Sequence, residues 1–259
     1  MTIKIGAHTI YYEVSGTGKP VLLLHGWMCN IETFRIIINE LEKTNTVYAL
    51  DFPGQGGKSS TPELPMTMDD YTALTAAFIE EMGIAGTDII NHSFGGRVSI
   101  LLGAKYPKLV GKIVFTDAAG IRPKRSLNYY IRVYSYKLAK WAAKHAWLRK
   151  CLKWMGIDVA AKVKNAGSED YKALSGAMRK TFSNIVNEDL TPYLKEIKAP
   201  SLMIYGREDA DTPVWYGEIM ERNIKDSGLV VLENAGHYSF LDQFPQYIRI
   251  VKTFLEVAE

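Results

Sequence analysis

A chain of 259 residues, 47% of them hydrophobic, can bury a large core, which argues against disorder and fits one globular domain carrying an insertion. A formal charge of +3 gives no protein-wide attraction to nucleic acid. The longest apolar runs, such as "PVLLL" at 20–24, fall far short of the ~20 residues of a membrane-spanning helix.

The N-terminal stretch "MTIKIGAHTIYYEVSG" alternates polar and apolar residues like a strand and lacks the basic start and apolar run of a signal peptide, so a cytoplasmic location is expected. Strand patterns follow at "PVLLLHG" (20–26), "TVYALD" (46–51), "TDIIN" (87–91), "KIVFTD" (112–117), "SLMIYG" (201–206) and "GLVVLEN" (228–234). Helical patterns separate them. In "TMDDYTALTAAFIEEMG" (67–83), an acidic first turn, an apolar stripe and a closing glycine predict an amphipathic helix. This alternation predicts an α/β fold, a mostly parallel sheet with helices on both faces.

Between "FTDAAG" and "APSLMIYG" no buried strand appears, and the interval is too long for a simple crossover. It predicts an inserted helical subdomain over 121–195, with the core formed by 1–120 and 196–259. Leu127, Ile131, Tyr134, Leu138, Trp141 and Leu148 recur at close to helical spacing within it. Residues 121–165 hold twelve Lys or Arg against the single acid Asp158, so the rest of the chain is left at −8 once this +11 is taken from +3.

The chemistry gathers around "IINHSFGGRV" (89–98), where an apolar run meets Ser93 and a Gly-Gly pair. Such a sharp strand-to-helix turn projects a nucleophile, although a serine here can also simply start a helix. Gly95 fills the small-residue position after the serine; Asn91 stands where a glycine belongs before it. A serine needs a base, an orienting acid and oxyanion donors. Asp209 in "YGREDADTP" ends one strand and His237 in "ENAGHYSFLDQFP" follows the next. Asp117 also ends a strand and competes for the acid role; Asp211 is a weaker neighbour.

Together "HGW" (25–27), "DFPGQGGKS" (51–59), "HSFGGR" (92–97), "GREDADTP" (206–213) and "AGHYSFLDQFPQYIRIVKTFL" (235–255) resemble the motifs of the α/β-hydrolase superfamily over nearly the whole chain. The resemblance implies an α/β-hydrolase fold with a helical cap, a Ser93–Asp209–His237 triad, and an oxyanion hole from the backbone N–H groups of Trp27 and Phe94. It implies a serine hydrolase of small or medium carboxylic esters that uses no cofactor or metal. Tyr130, Tyr134 and Trp141 of the cap would offer an apolar wall to substrate. Two other uses of this arrangement remain open: carbon–carbon cleavage of a dienoic ring-fission product, or a signal receptor that retains the triad.

Other residues read more simply. "PGQGGKSS" misses the phosphate-loop spacing because Phe52 stands where a glycine is required, and Asp51 reads as a residue shaping that loop. His25 reads as oxyanion-loop scaffold and His92 as pointing away from Ser93, while His8 and His145 read as surface residues. Cys29 and Cys151 are too few for a disulfide framework and read as free thiols. The basic face of the insertion reads first as a solvated surface; anionic substrates or weak contact with an anionic surface are its other uses.

Overall fold

The computed structural model describes residues 1–122, 127–145, 154, 174 and 176–256. The N-terminal alternation folds as a hairpin of β1 (Thr2–Ile5) and β2 (His8–Ser15), whose turn is tightened by Gly6 at φ +57°. The later strands are β3 (Lys19–Leu24), β4 (Asn45–Leu50), β5 (Thr87–His92), β6 (Val110–Thr116), β7 (Ser201–Gly206) and β8 (Ser227–Leu232). They form one eight-stranded sheet in the order β1-β2-β4-β3-β5-β6-β7-β8. β2 runs antiparallel to β1 and β4, and every other pairing is parallel.

Among the described residues the α-helices are α1 (Arg35–Leu41), α2 (Met68–Glu81), α3 (Phe94–Lys105), α4 (Leu127–Lys144), α5 (Gly176–Val186), α6 (Trp215–Asn223), α7 (Ser239–Asp242) and α8 (Phe244–Leu255). α2 starts where the sequence predicts it. The Thr67 hydroxyl accepts the Asp70 N–H at 3.2 Å, and the Asp70 carboxylate accepts the Thr67 N–H at 2.7 Å.

Successive residues of the buried strands serve opposite faces of the sheet. Ile89 packs in a core with α2 and α3, whereas its neighbour Ile90 packs in a second core with α1 and α8. Such strands, covered on both sides, carry continuous apolar runs rather than alternation. β3 lies between β4 and β5, so the chain leaves β3 toward one side and later returns to the other. The loops after β3 and β5 therefore open beside each other at a switch point, the usual place for a site in such sheets.

Among the described residues no strand lies between β6 and β7, and no helix is long and apolar enough to cross a membrane. The chain divides into two units, one of residues 1–122 with 176–259 and a smaller one of residues 123–175. Residues 176–195, expected within the insertion, thus group with the sheet. α5 is tied there by the Met66 N–H, which donates to the Thr181 hydroxyl at 2.9 Å. Cys151 and seven of the twelve basic residues counted over 121–165 lie outside the described residues.

Candidate active site

β5 ends in a turn at Ser93, which takes φ 49° and ψ −108° before α3 begins. Positive φ is costly for a residue with a Cβ and persists only where surroundings enforce it. Here the Ser93 N–H donates to the Thr116 carbonyl at 3.2 Å, and its own carbonyl accepts the N–H groups of Gly96 at 3.0 Å and Ala119 at 2.9 Å. The close approach leaves no room for side chains: a Cβ on Gly95 would lie 2.0 Å from the Leu24 carbonyl oxygen, and one on Gly96 2.5 Å from the Ala118 Cβ. The Ser93 hydroxyl does not cap α3. It lies 3.1 Å from His237 Nε2 instead.

His237, in the loop after β8, places Nδ1 2.8 Å from Asp209 Oδ2, and Asp209 follows β7. Facing a carboxylate, Nδ1 carries the proton, which leaves Nε2 as the acceptor for the Ser93 hydroxyl. Asp209 is itself held: Oδ1 accepts the N–H groups of Asp211 at 2.8 Å and Thr212 at 2.9 Å, and Oδ2 accepts the Thr212 hydroxyl at 2.6 Å. Burial works to raise the Asp209 pKa, but the bonds from His237 and Thr212 outweigh it and hold the group below the ordinary carboxylate range. Burial works to lower the His237 pKa, yet the hydrogen bond and charge of Asp209, aided by Asp117 and Asp211, carry it above 6.5.

Of the two candidate acids it is Asp209 that bonds the imidazole. Asp117 Oδ1 accepts the Gly206 N–H at 2.9 Å and its Oδ2 accepts the Ser239 N–H at 3.0 Å, so this carboxylate ties the end of β7 to the histidine loop. Burial pushes it up to about 7 against those bonds. Asp209, Asp211 and His237 bring ligand-type atoms within 4.8 Å of one another, but the Asp209 oxygens and His237 Nδ1 are already engaged with each other and with Thr212.

The loop after β3 carries Trp27, whose ring meets Phe94 and, from α5, Phe182. Among the described residues neither the Trp27 nor the Phe94 backbone N–H has a hydrogen-bond partner. The loop is braced from the one after β4. His25 Nε2 accepts the Phe52 N–H at 2.9 Å, so its Nδ1–H donates to the Gly26 carbonyl at 2.8 Å, and burial lowers its pKa to about 4. The Met28 N–H donates to Gln55 Oε1 at 2.8 Å, and Asp51 accepts the N–H groups of Ile31 and Lys58, both at 2.8 Å. Gln55 and Thr212 carry roles that sequence reasoning missed; both are buried polar side chains in glycine- or aspartate-rich loops.

His92 turns to the face opposite Ser93, and its Nε2–H donates to the His237 carbonyl at 2.7 Å. Burial pulls its pKa down to about 3. Cys29 is half-buried, with Sγ 3.6 Å from the Tyr238 hydroxyl. Tyr134 and Trp141 lie on α4, in the second unit, and are largely exposed; the side chain of Tyr130 lies outside the described residues.

Asn91 sits on β5 between Leu24 and Phe115 and is wholly buried. Among the described residues neither side-chain polar atom of Asn91 has a hydrogen-bond partner. An unpaired buried amide costs roughly 1–3 kcal/mol. Asn91→Ala is therefore expected to raise stability by about 1–2 kcal/mol, or ~2–4 °C in Tm, while leaving turnover unchanged. Thermal denaturation alongside an ester assay checks this; a lost activity would give Asn91 a chemical role.

A family model described as the alpha/beta hydrolase fold matches residues 19–244. The chain is 28% identical over 247 residues to the pimeloyl-(acyl-carrier protein) methyl ester esterase of Neisseria meningitidis serogroup C, covering 92% of this chain and 94% of that protein. Among solved structures, bromoperoxidase from Bacillus anthracis aligns with a TM-score of 0.76 at 22% identity over 99% of both chains. The meta-cleavage product hydrolase of Pseudomonas fluorescens aligns with a TM-score of 0.72 at 20% identity, covering 99% of this chain and 97% of that one. These two likenesses concern the fold, and the match to the family model takes in every strand from β3 to β8 together with Ser93, Asp209 and His237. The chain belongs to the α/β-hydrolase family.

Proposed function

We propose that the protein is a serine esterase that cleaves small or medium carboxylic esters through an acyl-enzyme on Ser93. The observation that carries this reading is the Ser93 hydroxyl at 3.1 Å from His237 Nε2, with Nδ1 of the same ring 2.8 Å from Asp209. A hydroxyl is a weak nucleophile until a base takes its proton during attack. As Ser93 Oγ bonds to the ester carbon, its proton passes to His237 Nε2, and Asp209 stabilises the resulting imidazolium. The N–H groups of Trp27 and Phe94 receive the oxyanion; one such donor is worth roughly 3–4 kcal/mol in the transition state. Collapse breaks the bond to the alkoxide, which leaves with the proton from Nε2. Water then repeats the cycle on the acyl-enzyme and frees the carboxylic acid. An ester as substrate is supported by the relative named as a methyl ester esterase.

Steady-state assays on p-nitrophenyl acetate and butyrate test the reading, with sustained turnover and an initial burst expected. Turnover of a dienoic diketo acid with none of the esters would replace it by carbon–carbon cleavage. Stoichiometric binding of ligand without turnover would make the protein a receptor.

A further inference from the structure

We infer that α4 is a docking surface for an anionic lipid bilayer. Its large apolar side chains recur at alternating spacings of four and three: Leu127, Ile131, Tyr134, Leu138 and Trp141. At 3.6 residues per turn this spacing makes a single stripe along the helix. The stripe is in water, with exposures of 81%, 66%, 64%, 64% and 53%. Leaving five such side chains in solvent along one helix is a sign of an interaction surface, since isolated apolar residues are common on proteins but contiguous rows are not.

The charges beside the stripe indicate what covers it. Lys137, Lys140 and Lys144 are exposed and form a second row along its flank, and α4 contains no acidic residue. Lys137 Nζ lies 5.5 Å over the Tyr134 ring, which joins the two rows. A helix with an aromatic and aliphatic stripe bordered by lysines suits the plane of a bilayer: the stripe enters the acyl boundary while long lysine stems reach back to phosphate. An acidic protein partner would satisfy the lysines but would gain nothing from an apolar five-residue row unless it carried a matching groove. The basic excess of the surrounding segment, +11 over residues 121–165, has the same sign as the lysine row.

The test is co-sedimentation of the full chain with vesicles of phosphatidylcholine alone or mixed with phosphatidylglycerol. Binding to the anionic vesicles is expected to exceed binding to neutral ones by about tenfold or more and to fall as salt rises. Together, Lys137→Glu, Lys140→Glu and Lys144→Glu should weaken it by about a hundredfold. Leu138→Asp should weaken it without removing the salt dependence. Circular dichroism and hydrolysis of a soluble ester establish that the variants are folded, and the wild-type salt series decides the matter even if one is not. No binding to anionic vesicles overturns the inference, as does equal binding by the lysine variant. Salt-sensitive capture of an acidic carrier protein with no vesicle binding would assign the surface to a protein partner.

Discussion

Ser93→Ala is expected to abolish ester hydrolysis, by on the order of 10⁶-fold in kcat where a serine and its histidine act as one unit. The fold should not suffer. The hydroxyl makes no cap to α3, and its hydrogen bond runs to His237, so alanine removes one contact while keeping the backbone bonds of Ser93 to Thr116, Gly96 and Ala119. Alanine also meets the same positive φ of 49°, so strain is unchanged. The check has two parts: the melting temperature should stay with the wild type, and an organophosphonate probe that labels the wild type should leave the variant unmodified. An adduct found by mass spectrometry on Cys29 or another serine would end the mechanism.

Asp209→Asn should cost about 10⁴-fold in kcat, because an amide facing Nδ1 favours the tautomer in which Nε2 holds the proton and cannot accept one from serine. The pH profile carries a second signature. His237 must be neutral to act as base, so activity rises with pH through its pKa, which lies above 6.5 in the wild type because the Asp209 bond and charge outweigh burial. Without that charge the acid limb of the residual activity should move to lower pH. Asp117→Asn should behave differently. An asparagine can accept only one of the two N–H groups from Gly206 and Ser239, so the main effect is a loss of about 1–3 kcal/mol in stability with a far smaller change in kcat. If Asp117→Asn proves the costlier for kcat and moves the limb further, the two acids exchange roles.

Which of these carboxylates faces the imidazole was legible only through the resemblance of "GREDADTP" to the family's acid loop, since both stand just after a buried strand and the paths of two loops decide the matter. What was legible has a common cause. The six core strands are apolar runs ended by polar or glycine residues, because a strand covered on both faces has no solvent side to encode. α2 was legible through its acidic first turn, apolar stripe and closing glycine, and the structure adds the reciprocal bonds of Thr67 and Asp70 at its start. The end of the insertion was hidden because α5 carries the same amphipathic pattern as a cap helix, and only its packing through Thr181 and Phe182 assigns it to the sheet. Asn91 was visible as a misfit at the turn, but that its amide would find no partner depends on neighbours from β3, β6 and α3.

The bracing of the Trp27 loop by His25, Asp51 and Gln55 has a consequence for anyone transplanting or redesigning it. Segments 25–31 and 51–58 are separate in the chain but interlocked by three hydrogen bonds through buried side chains, while Asp51 also accepts the Lys58 N–H within the second segment, so they form one exchangeable module rather than two loops. Grafting "HGWMC" into a related scaffold without its "DFPGQGGK" partner would deliver the right residues on an unsupported backbone. A shortened or lengthened glycine-rich segment would in turn disturb donors that it never touches directly. Homologous recombination between relatives should accordingly tolerate crossovers before 25 or after 58 far better than any between them.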